Sequence, residues 1–115
     1  MIQKIVLNFV ISFVLKQLEK FGDKTDWVKV KHDAELRVRA LMPGTWFDDE
    51  AAYVINLVLA GVQDICDEKD GLKKILKLVV DKKYAEAVVL IKELLLALWA
   101  EHKEPHFEKV KLAMV

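Results

Sequence analysis

Apolar residues recur every three to four positions along most of the chain, which is the period of amphipathic helices. Turn signals interrupt this pattern at Gly22, at Pro43-Gly44 and at Pro105, and charged runs interrupt it at residues 67–70 and 81–83. The intervals between breaks predict five helices, over about residues 2–21, 26–41, 46–67, 71–81 and 84–102. The pattern therefore predicts an all-α fold: a compact bundle of about five helices in a single domain, residues 1–115, with a short sixth segment at the C-terminus.

The first helix is apolar around most of its circumference, with one narrow polar stripe formed by Lys4, Asn8, Ser12 and Lys16. Its continuous apolar run, residues 5–15, is much shorter than the roughly 20 residues that a membrane-spanning helix needs. No small-residue cleavage site follows the run, which argues against a signal peptide. The fifth helix is nearly as apolar, and we expect these two helices to form the inner layer of the bundle.

The second helix carries two apolar stripes. One is the expected core seam and comprises Trp27, Val30, Ala34, Val38 and Leu41. The opposite stripe comprises Val28, His32, Leu36 and Ala40. Tyr53 and Leu57 form a lesser patch behind the main face of the third helix. Because solvent-facing stripes do not need such residues, we predict that these two sets form an interface, with another helix or another chain.

The segment MPGTWFDDEAAY contains the most conspicuous acidic cluster, Asp48, Asp49 and Glu50. Thr45 and Asp48 have the T-x-x-D spacing of a helix N-cap, and acidic residues in a first turn complement the helix dipole. Consecutive helical residues point about 100° apart, so these carboxylates cannot converge on one metal ion. We interpret the segment as a helix start and not as a catalytic site.

His102 and His106 are the closest approach to a metal site, within the sequence EHKEPH. Two histidines at i and i+4 bind zinc when both lie on one helix face. Pro105 disfavours helical structure through Glu104, so this register is lost. We interpret the segment as a polar helix end and expect no metal site.

Catalytic and cofactor chemistry also lack support. His32 has no serine or second cysteine in pattern with it, and Cys66 is expected to be a buried, inert thiol. The four glycines are scattered, so no phosphate-binding loop is present. We expect a non-enzymatic protein without a cofactor.

Composition narrows the choice of partners. The formal net charge is zero, and only Arg37 and Arg39 among the 18 basic residues are arginines, which disfavours a nucleic-acid partner. The single cysteine is compatible with a reducing compartment, and we expect a cytoplasmic protein. The hydrophobic fraction of 54% exceeds the usual range of about 45–50%. It indicates either a stability-optimised, engineered sequence or a chain that buries more than its own core.

The segment DWVKVKHDAELRVRALMPGTWFDDEAA, residues 26–52, resembles small uncharacterised helical proteins encoded by phages. The resemblance implies a viral origin and a small accessory role. It covers about a quarter of the chain and brings no site residues with it.

Three functions of different classes remain. The surplus of apolar side chain favours a self-associating interaction protein, most simply a two-fold homodimer. The first or fifth helix, each apolar on nearly all sides, could supply the interface instead of the second helix. A bundle so rich in Val, Leu and Ile could instead hold a small apolar ligand. The third is a membrane-active, holin-like protein built on the first helix and on the basic helix with Lys73, Lys74 and Lys77, which the short apolar run disfavours.

Overall fold

A computed structural model describes residues 2–41 and 49–105, together with residue 111. In chain order the helices are α1 (Ile2–Phe21), a 3-10 turn (Gly22–Lys24), α2 (Trp27–Leu41), α3 (Asp49–Asp67), α4 (Lys69–Val80) and α5 (Tyr84–Glu101). The radius of gyration is 13.5 Å, close to the value of about 13 Å for a compact chain of this length. The predicted all-α bundle is confirmed for the described residues, among which there is no strand.

Helix α1 is the centre of the bundle and packs against all four other helices. Its buried side chains include Leu7, Val10, Phe13 and Leu15, which point in different directions around more than half of the helix. Three of the four residues of the predicted polar stripe are exposed, and the fourth, Asn8, is half-buried. The inner position predicted for this helix is therefore confirmed.

The second inner helix is α3, not α5 as the sequence predicted. The most extensive packing in the molecule is between α1 and α3. Helix α5 buries only the stripe Ala87, Ile91, Leu95 and Trp99, although most of its residues are apolar. In an amphipathic helix the apolar face is the one that packs against the core. A helix with few polar residues, such as α5, does not show in its sequence which side is buried, so its position depends on packing with the other helices.

Close packing of α3 against α5 depends on Gly61. A Cβ atom at this position would lie only 2.5 Å from Cδ2 of Leu95 and 3.4 Å from Nε1 of Trp99. A glycine beside an alanine in the middle of a helix predicts a close helix crossing at Ala60-Gly61. The crossing is present at Gly61, whereas Ala60 is exposed.

The turns follow local sequence signals with one exception. Gly22 ends α1 in the left-handed region, at φ 58°, as expected of a C-terminal glycine. Asp26 precedes α2, and its carboxylate accepts a hydrogen bond from the backbone N–H of Lys29 at 3.2 Å. Aspartate is a favoured N-cap residue, which predicts that Asp70 caps a helix beginning at about residue 71. Asp70 lies inside the first turn of α4 instead, because α4 begins at Lys69.

Two further predictions fall outside the described residues. The proposed cap at Thr45 and Asp48 lies in residues 42–48, and the described part of α3 begins at Asp49. The sixth segment, beyond residue 105, is described only at Lys111.

Candidate interaction surface

The predicted second stripe of α2 faces away from the bundle. The opposite seam is buried, with Val30 at 3%, Ala34 at 0% and Val38 at 2% exposure. Val28 is 82% and Leu36 is 53% exposed, and His32 and Ala40 are also exposed. No part of the chain that the structure describes covers these four residues, which we call the α2 outer stripe.

Charged residues of both signs border the α2 outer stripe. Lys29, Asp33 and Arg37 follow one side, and Lys31, Glu35 and Arg39 follow the other. The guanidinium of Arg37 lies over the ring of Phe13, 5.1 Å from its centroid, and so helps to attach α2 to α1. The surroundings of the stripe are therefore mixed in charge.

Tyr53 and Leu57 make contacts within the chain that the α2 outer stripe lacks. The hydroxyl of Tyr53 donates a hydrogen bond to the carboxylate of Glu104, beyond the end of α5. This bond, with a smaller contribution from burial, raises the pKa of Tyr53 to about 12. Leu57 is half-buried and packs against the core. Their assignment to an interface stays a prediction, and the α2 outer stripe is the more exposed of the two sets.

A second exposed apolar surface lies on α5, one of the two helices that the sequence offered as an alternative to α2 for the interface. Val89 is 54% exposed, and Ala85 and Ala97 are also exposed. A shallow depression of about 300 Å³ beside Val89 is lined by Ala85, Leu90 and the acidic residues Glu86 and Glu93. The signal that could have revealed this surface is the pair of glutamates, seven residues apart on the side of α5 away from the buried stripe.

The groups considered for chemistry are not brought together. His32 is exposed on α2, and His102 is exposed just after the end of α5, while His106 lies outside the described residues. Burial, and to a lesser degree the charge of Asp67, raises the pKa of the Cys66 thiol to about 11. Within the described ranges there is no buried polar or charged residue and no group of three or more metal-type ligands.

One polar cluster joins distant parts of the chain. Tyr84 at the start of α5 donates a hydrogen bond from its hydroxyl to the carboxylate of Glu19 on α1, 2.9 Å from each oxygen. Nζ of Lys82, in the turn before α5, lies 3.0 Å from Oε1 of the same carboxylate. These hydrogen bonds, first from Lys82 and then from Tyr84, hold the pKa of Glu19 below its usual value. The cluster fastens the α4–α5 turn to the C-terminal half of α1.

Comparison with known proteins adds no relative. No family model, no curated protein and no solved structure is significantly similar to this chain. The resemblance of residues 26–52 to phage-encoded proteins therefore stays a prediction. Among the described residues, none of the helices combines the length and the apolar character required to cross a membrane.

Proposed function

We propose that this chain is a non-enzymatic assembly protein of the cytoplasm, in which two copies pair through the α2 outer stripe. A small phage accessory protein, which the resemblance of residues 26–52 implies, is compatible with such a role. The observation that carries the proposal is the exposure of a valine and a leucine, Val28 and Leu36, on the side of α2 opposite its buried seam.

The free energy for association comes from the apolar area that the stripe leaves in water. Fully burying a Val or Leu side chain contributes about 1.5–3 kcal/mol relative to an exposed one. Because Leu36 is 53% exposed, covering the remainder contributes about half of that, or about 0.8–1.6 kcal/mol per copy. Val28, at 82% exposure, adds a comparable amount.

Pairing with a second copy is supported by the charges that border the stripe. A two-fold axis across α2 brings the two stripes together in antiparallel orientation, so that each copy contributes the same surface. Each row of charges carries both signs, so a shift along the helix can place a lysine opposite a carboxylate. The zero net charge of the chain means that two copies do not repel each other as a whole.

The size of the surface sets the expected affinity. From Val28 to Ala40, α2 rises about 18 Å, so the contact is smaller than the standard interface of about 800 Å² per partner. We therefore expect a reversible dimer with a Kd of about 1–100 µM.

A matched pair of variants tests the surface. Leu36→Lys and Val89→Lys each place a lysine at an apolar position of nearly equal exposure, 53% and 54%, on different helices. Two copies lose about 1.6–3.2 kcal/mol in Leu36→Lys, so the dimer Kd should rise roughly 10- to 200-fold. In Val89→Lys the dimer Kd should stay within about twofold of the Kd of the unmodified protein.

Sedimentation velocity over a range of protein concentrations measures both constants, and circular dichroism checks that each variant stays folded. A dimer weakened by Val89→Lys and not by Leu36→Lys would place the interface on α5 and refute the surface proposed here. Equal weakening by both variants would show only a general effect of added charge.

A further inference from the structure

A cleft of about 520 Å³ opens between α1 and α5, within the range of about 300–1,000 Å³ that is typical of small-molecule sites. Ser12, Leu15, Lys16 and Glu19 line it from α1, and Tyr84 and Val88 line it from α5. Leu15 is 2% exposed and Val88 is half-buried, so the floor of the cleft is apolar. Ser12 and Lys16 are exposed on its rim.

The charges at the two ends of the cleft are unequal. The carboxylate of Glu19 is neutralised by Lys82 and accepts a hydrogen bond from Tyr84. Lys16 forms no ion pair or hydrogen bond within the described residues, and the same holds for Ser12. The charge that the cleft leaves uncompensated is therefore the Lys16 ammonium.

Helix geometry places this ammonium at one end of the cleft. Long side chains on a helix tend to lean towards its N-terminus, which favours a position of the Lys16 ammonium over the preceding turn, the turn that carries Ser12. The hydroxyl and the ammonium thus lie on the same stretch of rim, while the apolar floor continues towards Tyr84. The site has a polar, cationic end and an apolar body.

We infer that this cleft binds an aliphatic carboxylate, with the carboxylate at Lys16 and Ser12 and the alkyl chain along Leu15 and Val88. From Ser12 to Glu19, α1 rises about 10 Å, which matches an extended alkyl chain of about eight carbons. This inference is independent of the assembly proposed above, since no residue of α2 lines the cleft. The sequence suggested a small apolar ligand as one alternative; this inference places such a ligand in the cleft between α1 and α5 and requires it to carry a negative charge.

Isothermal titration of the full chain with octanoate, below the concentration at which octanoate forms micelles, tests the site. We expect 1:1 binding, with butyrate and octanol each binding at least about fivefold more weakly, because each lacks one of the two recognised features. Comparable affinity for octanol and octanoate would overturn the inference, since Lys16 would then have no role.

Two variants locate the binding. Lys16→Gln removes the ammonium at the rim and should weaken octanoate about fivefold or more, while Lys20→Gln, one turn further along α1 and outside the lining, should change it by less than twofold. Amide chemical shifts should move at Ser12 and Val88 on addition of octanoate. Shifts confined to other helices, or equal effects of the two lysine variants, would refute this site.

Discussion

The close contact of α3 with α5 at Gly61 makes a quantitative prediction about the stability of the fold. In Gly61→Ala the new methyl group would lie 2.5 Å from Cδ2 of Leu95, about 1 Å inside the optimal carbon–carbon separation of about 3.5–4.0 Å. Leu95 is 0% exposed, so its side chain can move only by displacing other core residues. The substitution therefore overpacks this crossing.

Two opposing contributions determine how much Gly61→Ala changes the free energy of unfolding. Overpacking a core costs about 1–3 kcal/mol, while replacing glycine by alanine inside a helix gains about 1 kcal/mol. Gly61→Ala alone should thus lower the free energy of unfolding by about 0–2 kcal/mol. Leu95→Ala alone should lower it by about 2–5 kcal/mol. In the double variant the methyl group at position 61 enters the vacated space, so the cost of Leu95→Ala should fall by about 1–3 kcal/mol.

Urea unfolding of the four proteins at one fixed protein concentration, followed by circular dichroism, measures this coupling. Leu94, the half-buried neighbour of Leu95 in α5, provides the matched control. The losses of unfolding free energy in Gly61→Ala and Leu94→Ala should add to within about 0.5 kcal/mol in the double variant. Additivity of Gly61 and Leu95 to the same degree would mean that the two helices do not meet at this glycine.

Three other predictions concern exposed or half-buried groups. In Tyr84→Phe, where Tyr53 is the remaining tyrosine, phenolate absorbance should titrate near pH 12, and adding Glu104→Gln should return the pKa towards 10.0. Because folding raises the pKa of Tyr53, the hydrogen bond contributes its full stability below pH 10, and this stability is lost as the pH rises through about 12. A titration midpoint near pH 10 in Tyr84→Phe would exclude the hydrogen bond to Glu104. At pH 8, iodoacetamide should modify Cys66 roughly 100-fold more slowly in the folded protein than in urea, and equal rates would show an accessible thiolate. The protein should not float with anionic liposomes, because most apolar residues of α1 are buried in the bundle; flotation that is lost when the α4 lysines are reversed in charge would favour a membrane-active protein.

Much of the fold was readable from local signals in the sequence. Periodicity places the two apolar stripes of α2 on opposite faces, and the stripe that was expected to form the core seam is the one with the buried residues Val30, Ala34 and Val38. Gly22 and Asp26 mark a helix end and a helix start through backbone and capping preferences that act over a few residues. These features are local, and they do not depend on the rest of the chain.

Local signals in the sequence did not predict that α3, and not α5, is the second inner helix. Periodicity predicts which side of a helix is buried only when the other side is polar, and α5 has few polar residues. The position of α5 depends on where Gly61 allows a close approach, which is a property of two helices together.

The cleft between α1 and α5 could not be predicted from the sequence either. The end of the cleft opposite Ser12 is closed by Glu19, Lys82 and Tyr84, and Glu19 lies 63 and 65 residues before the other two in the sequence. No local spacing encodes such a contact, so the sequence offered only the general idea of an apolar ligand.

The most direct test of assembly through α2 is the mass of the unmodified protein in solution. Sedimentation equilibrium should give a weight-average mass near 13.2 kDa at concentrations well below the expected Kd of about 1–100 µM, rising towards twice that value at several hundred micromolar. The rise should follow a monomer–dimer equilibrium and should shift to higher concentration in Leu36→Lys. A mass that stays at 13.2 kDa over the whole range would contradict self-association, and with it the function proposed for the α2 outer stripe.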